Sequence, residues 1–461
     1  MLLQAAAPQP LLLATPPPTK LKLRGYLTEK PDDHILAILD DHIRLGPGTH
    51  IVMHEPSSDR AATLADLAVG QLIEAEGSWT GRHQFSAEKI TVDMGLLEKT
   101  IRETAYLQEE PTQASQIAGG EPAELKTDGE WLVLGSETRR QWSSPAAPAA
   151  ASSHNVSNSE PAASSPAAPS FTAYQVRYTG TRRGDGKIGA TLVELHPPAP
   201  PEAYRNPHDV TVVRAKDPQS GIDIIEFRRG TKLDARMKLF PVPAVQEYVS
   251  DLANSLLPPG AHSMTRPLEF RFFVVEDPSI NASSLPDGTL LVNTGLLALV
   301  QNEAQLAFVL SHEIAHVLQA HVWREANETR AQRAGLLIAG LAGGYFVGDL
   351  SLFLAGLGMA AVVNGHQRAL ENQADRLGLQ NVIDRGYDPR QGPRFIRLII
   401  ERYGDRTTSR LWSDHDSSLL RGSFLTVQLA AQYPQGHFDG ARVDTPAFQA
   451  MREAMGPVKI E

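Results

Sequence analysis

The chain has 461 residues, too many for one ordinary hydrophobic core, so two or three domains are expected. Its net charge of −10 and the lack of any basic block exclude an electrostatic footprint for nucleic acid, and no nucleic-acid partner is expected. It has no cysteine, which removes disulfides, thiol catalysis and cysteine-type metal sites together.

Residues 1–19 are apolar in places but are interrupted by Pro8, Pro10 and Pro16 and lack a basic lead, so they read as a disordered N-terminus or a signal remnant. Residues 20–95 hold five short strand-like runs between Gly, Pro and Asp turns, which predicts a small β-barrel-like domain of OB type. Its few aromatics and many acids make it a structural or partner-docking module, not a nucleic-acid binder. Residues 96–142 form a connector with one strand candidate, Glu130 to Gly135. Residues 143–170 are Ala, Pro and Ser, a semi-extended linker. Residues 171–235 carry four more strand-like runs and read as a small β unit.

Residues 236–461 change character. VPAVQEYVSDLANSLL is an amphipathic helix stopped by Pro258 and Pro259, and LEFRFFVVED reads as a buried strand. A further strand is predicted from Asn281 to Val292. If it edges a cleft, its open amides can pair with an extended peptide, which makes Asn281, Ala282 and Ser283 candidate substrate-binding residues. The run NEAQLAFVLSHEIAHVLQAHVW follows. Asn302 suits a helix N-cap, with Gln305 in the capping-box position, and Leu306 to Leu318 is nearly all apolar. Within it His312 and His316 are four apart and so share one helix face, a spacing that suits two imidazole nitrogens on one tetrahedral zinc. Glu313 lies beside them as candidate general base toward water.

Residues 335–363 are apolar but are split by Asp349 and Ser351 and hold seven glycines. They read as a buried or re-entrant helical hairpin over the active site, a lid or a membrane-facing patch, and not as a span. HQRALENQADRLGLQNVID, 366–384, is a helix stopped by Gly386 and Pro389. It offers Glu371 as a third ligand. Asp375, one turn on, can take a hydrogen bond from the far nitrogen of a ligand histidine, which fixes its tautomer. The stretch SDHDSSLLR, 413–421, reads as a loop within a mostly helical tail.

Four pieces, NASSLPDG from Asn281, HEIAHVLQAH, RALENQAD and SDHDSSLLR, stand in an order that resembles metallopeptidase family forty-eight, the group of CAAX prenyl protease, HtpX-like and OMA-like zinc endopeptidases. The resemblance covers roughly 240–435. It implies one zinc per chain held by His312, His316 and Glu371, with Asp375 as supporting carboxylate. It also gives His415 and Arg421 the spacing of the family's late His and Arg, although Asp416 stands where the family usually has Pro. His415 would donate to the tetrahedral oxyanion or cap the zinc, and Arg421 would hold its loop through a carboxylate.

The fold class expected is multidomain: N-terminal small all-β modules followed by a mainly α, α+β gluzincin-type metallopeptidase domain at 236–461. The function expected is a zinc metalloendopeptidase acting on protein or peptide substrate, unfolded or misfolded protein by family analogy, in the bacterial cell envelope or periplasm. Membrane contact, where there is any, is peripheral and runs through 335–363. One rival keeps the fold with an occluded site and works as a chaperone-like or scaffold binder through the β modules. Another is a membrane-embedded CAAX-type enzyme, disfavoured by the lack of clean spans.

Overall fold

The computed structural model of the protein describes residues 21–54, 59–95, 100–106, 122–127, 130–142, 175–196, 210–229, 231–258, 261, 268–321, 366–403, 418–433, 436, 438–458 and 460. The N-terminal segment 1–19, the linker 143–170, the apolar run 335–363 and His415 lie outside them. The chain divides into two compact units, Met1–Met94 and Gly95–Glu461.

The first unit is one seven-stranded sheet made of β1 (Leu21–Tyr26), β2 (Glu29–Asp32), β3 (Ile35–Ile38), β4 (Asp41–His54), β5 (Asp59–Ala62), β6 (Gln71–Gly81) and β7 (Gln84–Gly95). The order is β1-β6-β7-β4-β3-β2, with β5 on β4, so β1 and β2 end the path and the sheet is a half-barrel. Leu23, Ile38, Ile43, Ile73, Phe85, Ile90 and Val92 fill its inner face. Gly77 is required where β6 meets β7, since a Cβ there would sit 1.9 Å from the Ser86 carbonyl oxygen. The sequence predicts five strands here. The two extra ones, β2 and β5, are four residues each with no buried residue, so they carry no alternation to read.

The second unit begins with a five-stranded sheet of β8 (Thr100–Tyr106), β9 (Ala123–Lys126), β10 (Trp131–Trp142), β11 (Gln175–Arg182) and β12 (Ile188–His196), in the order β8-β11-β12-β10-β9. Strands from both sides of 143–170 pair in it, β10 with β12 in parallel and β8 with β11 antiparallel. The expected connector 96–142 and the front of the expected 171–235 unit therefore share one core, built on Leu125, Leu132, Val176, Ile188 and Val193. A separate antiparallel meander follows: β13 (Val210–Lys216), β14 (Asp223–Arg229) and β15 (Lys232–Lys238). Its Val212, Ile225 and Phe227 pack with Val275 and Leu291 of the next sheet and with Leu285 in the turn of its hairpin.

That next sheet comprises β16 (Arg271–Val275), β17 (Ala282–Ser284) and β18 (Thr289–Asn293) in the order β16-β18-β17. The single strand expected from Asn281 to Val292 is thus a hairpin, because Gly288 at φ 98° turns the chain between β17 and β18. Among the described residues the unit has seven helices: α1 (Pro243–Leu256), α2 (Thr294–Leu299), α3 (Glu303–Leu318), α4 (His366–Asp384), α5 (Gln391–Tyr403), α6 (Ser418–Gln432) and α7 (Pro446–Met455). α3 is buried on nearly every face, as its apolar sequence demands. Its N-terminus is fixed twice. The Asn302 side chain accepts from the Gln305 amide, while Gln305 reaches one residue past the cap to accept from the Gln301 amide. Buried Glu303, in the first turn, accepts from Tyr248 at 2.7 Å, Tyr387 at 2.8 Å and Thr445. No helix among the described residues is long and apolar enough to cross a membrane.

Candidate metal centre

α3 and α4 pack side by side, and the closeness of that packing is set by Gly378. A Cβ there would lie 3.1 Å from the His312 amide nitrogen, tighter than ordinary contact. Across this seam His312 and His316 of α3 meet Glu371 of α4. The two histidine Nε2 atoms are 3.0 Å apart, His312 Nε2 is 3.5 Å from Glu371 Oε2, and His316 Nε2 is 3.3 Å from Glu371 Oε1. A tetrahedral ion with bonds of about 2.0–2.1 Å has ligand-to-ligand edges of roughly 3.3–3.4 Å. The three donors therefore fit a zinc ion in kind and in spacing.

The far sides of both imidazoles support the same assignment. His312 Nδ1 lies 3.0 Å from Asp375 Oδ1, and Asp375 is wholly buried, so the proton belongs on Nδ1 and the Nε2 lone pair faces the centre. His316 Nδ1 lies 3.0 Å from His321 Nδ1, His321 Nε2 lies 3.1 Å from Gln373 Oε1, and Gln373 Nε2 donates to Gln319 Oε1 at 3.1 Å. One protonation pattern satisfies the whole chain: His316 donates to His321, His321 to Gln373, Gln373 to Gln319. That pattern again leaves His316 Nε2 bare. His321 is brought back beside His316 by Ala320, whose φ of 51° places a non-glycine residue in the left-handed region just past the helix end.

Charge at the seam is balanced by Arg421 on α6. Its Nε and Nη2 donate to the two Asp375 oxygens at 2.8 and 2.7 Å, a bidentate pair, and Nη2 also lies 3.7 Å from Glu371 Oε2. Burial pushes the Asp375 carboxyl up, but the charge and hydrogen bonds of Arg421, with a further contribution from His312, hold it down at about 2. Burial disfavours charge on His312 too, yet in the metal-free chain Asp375 and Glu371 outweigh it and push the ring up to about 9, so a metal taken up at Nε2 displaces a proton there. Arg421 stands in the first turn of α6, so the expected loop 413–421 gives way to helix from Ser418 onward.

Glu313 stands apart from the ligand set. It is buried on α3 but is not one of the three converging donors, and its Oε2 accepts from the Ser284 hydroxyl at 2.9 Å. Ser284 ends β17, which is the edge strand of its sheet among the described residues. Ala282 and Ser283 face Val292 and Leu291 of β18, and the Asn281 carbonyl accepts from the Asn293 amide. The sequence shows the strand but not the Ser284 contact, since alternation alone does not say which hydroxyl meets a helix. His321 turns its Nδ1 to His316 instead of joining the three donors.

The family model for peptidase family M48 matches residues 243–429. The chain is 32% identical over 168 residues to the putative beta-barrel assembly-enhancing protease of Vibrio cholerae, covering 35% of this chain and 34% of that one. It is 30% identical over 176 residues to the beta-barrel assembly-enhancing protease of Escherichia coli K12, covering 36% and 35%. It is 37% identical over 162 residues to the mitochondrial metalloendopeptidase OMA1 of Bos taurus, covering 34% and 30%. The chain thus spans about a third of the length of these relatives.

Proposed function

We propose that this chain, whose residues 243–429 form a domain of peptidase family M48, is a zinc-dependent endopeptidase that cuts unfolded or misfolded protein chains. The observation that carries the reading is the convergence of His312, His316 and Glu371 beside a carboxylate, Glu313, that is left out of the ligand set. A zinc ion held by those three side chains supplies Lewis acidity, polarising a carbonyl oxygen and acidifying water.

The chain's own residues supply the rest. The edge that β17 leaves open among the described residues, at Ala282 and Ser283 with Asn281 just before it, takes an extended peptide as an added strand through main-chain hydrogen bonds, which selects for unfolded segments over side-chain sequence. Glu313 removes a proton from the attacking water and returns it to the leaving amine nitrogen. Ser284 holds the Glu313 carboxylate in one rotamer for that exchange. Asp375 and His321 fix the two imidazole tautomers, and Arg421 holds the Asp375 carboxylate charged behind His312. For His415, outside the described residues, the family's spacing of a late histidine is the support for a role as oxyanion donor or zinc cap. The bacterial relatives are named for β-barrel assembly, which supports a setting in the cell envelope.

Chelation tests the reading. The purified full chain is expected to hold one zinc, to hydrolyse casein, to lose that activity on dialysis against a chelator and to regain it on adding zinc. A chain that carries no zinc and hydrolyses casein at the same rate in chelator would refute it. His321→Ala is expected to weaken zinc retention by about 10–100-fold, the usual effect of removing a partner behind a metal ligand. Zinc held as tightly as in the wild type would show that the His316–His321–Gln373 chain does not set the ligand's tautomer.

A further inference from the structure

Among the described residues the β8–β12 sheet supplies none of the groups at the metal centre, yet it reaches the helices behind that centre through one buried carboxylate. Glu130 stands just before β10 and is 4% exposed. Arg182, from β11, donates to it twice, Nη2 to Oε1 at 2.6 Å and Nη1 to Oε2 at 3.2 Å. Gln432 Nε2 of α6 donates to Oε2 at 2.9 Å, and Gln428 Nε2, a turn earlier, lies 3.5 Å from Oε1. Arg376 Nε of α4 lies 3.5 Å from Oε1. One carboxylate thus gathers groups from the sheet, from α4 and from α6.

Those two helices are the ones whose alignment the metal centre needs. Arg376 is the residue after Asp375, and its guanidinium continues over the Phe424 ring of α6 at 5.8 Å. Gln428 lies seven residues along α6 from Arg421, about 10 Å by helical rise. The pair is therefore tied twice, at the centre by Arg421–Asp375 and about two turns away by Glu130. A second observation shows that the sheet is seated on α6 by backbone as well. Gly186, in the β11–β12 turn at φ +81°, lies so close that a Cβ would fall 2.3 Å from Gln432 Cα and 2.6 Å from the Ala431 carbonyl oxygen. Arg182 Nη1 also donates to the Gly186 carbonyl at 2.8 Å, linking the turn to the same cluster. Burying two guanidiniums around one carboxylate is a poor way to gain stability, and its best-attested use is to fix one arrangement against others.

We propose that Glu130 is a positioning residue of the metal centre. From the accessory sheet it clamps α4 against α6 and so keeps Asp375 and Arg421 in the register that orients His312. The inference rests on the zinc-peptidase reading above.

The test is a double-mutant cycle on the full chain, with the zinc dissociation constant read by competition against a chromophoric chelator and casein hydrolysis read alongside. Glu130→Gln is expected to weaken zinc binding by about tenfold, within the range seen for groups behind a metal ligand. In an Asp375→Asn background it is expected to add less than about twofold, because the group it acts through has already been changed. Gly186→Ala, which pushes the turn off α6 without removing a buried charge, is expected to weaken zinc binding in the same direction and with the same loss of effect in the Asp375→Asn background. If Glu130→Gln does not fold, Gly186→Ala and Gln432→Ala decide by the same cycle. Zinc affinity unchanged in the folded variants, or the same fold-change in both backgrounds, overturns the clamp while leaving the peptidase reading intact. A wild-type chain that takes up no zinc overturns both.

Discussion

Replacing Glu313 by Gln is expected to leave zinc at one per chain and to lower peptide hydrolysis by about 10²–10⁴, the usual worth of a positioned general base. The separation of these two effects follows from the geometry. Glu313 is outside the triangle of His312, His316 and Glu371, so a neutral amide in its place leaves the ligands untouched. The Ser284 hydroxyl, 2.9 Å from Oε2, can still donate to the amide oxygen, so the side chain keeps its place while losing its basicity. Glu371→Gln is the matched control. It removes a charged ligand and is expected to lose zinc and activity together, since a neutral amide is a poorer metal donor than a carboxylate. Zinc content by atomic absorption beside quenched-peptide hydrolysis separates the two. Wild-type hydrolysis by Glu313→Gln would sink the catalytic role and put the scaffold reading in its place.

What the sequence makes legible here is what one helix can encode by itself. His312 and His316 share a face because they are four residues apart, and Glu371 and Asp375 share one for the same reason, so both halves of the centre can be written down from spacing. That the halves meet is not encoded locally. It depends on Gly378 letting α4 approach the His312 backbone, and a glycine within a helical pattern reads only as a weak point. The role of Arg421 is half visible. Its pairing with a carboxylate follows from charge, but the polar run SDHDSS hides the start of a helix, and it is from the first turn of that helix that Arg421 reaches Asp375.

The β modules are harder to read for a related reason. Sheet partners are chosen across the chain, and β8 and β10 find theirs beyond the linker, so a division drawn at changes of composition cuts through a core. Glu130 shows the extreme case. Its side chain's partners, Arg182, Arg376, Gln428 and Gln432, all stand at least 52 residues away, and nothing in EWLVLG marks its carboxylate for burial. Local signals thus carry the chemistry of this protein, while the scaffold that aims the chemistry is carried by pairings that no local signal announces.

The largest effect on stability is expected from the ion pair behind His312. Arg421 and Asp375 are buried almost completely, and each is the other's bidentate partner. Removing one member strands the other charge in the interior, a loss of about 3–5 kcal/mol for pairs of this kind, so Arg421→Ala should melt far below the wild type with zinc removed from both. Arg421→Lys should recover only part of the loss, since a single ammonium cannot reproduce the two-point fork. The pH dependence has a definite sign. Asp375 titrates at about 2 in the folded chain against an ordinary value of 3.8, so its contribution is complete above about pH 4 and is lost as pH falls toward 2. Without Arg421 the first of the causes acting on Asp375, burial, is opposed only by His312, so its carboxyl rises and acid unfolding of Arg421→Ala should begin at higher pH than in the wild type. Adding Asp375→Asn to Arg421→Ala removes the stranded charge and should restore much of the melting temperature without restoring zinc affinity. Circular-dichroism melts between pH 3 and 8 on the metal-free proteins measure all three. An Arg421→Ala chain that melts with the wild type across that range would mean the pair carries no net stability, and orientation of His312 would then be its whole contribution.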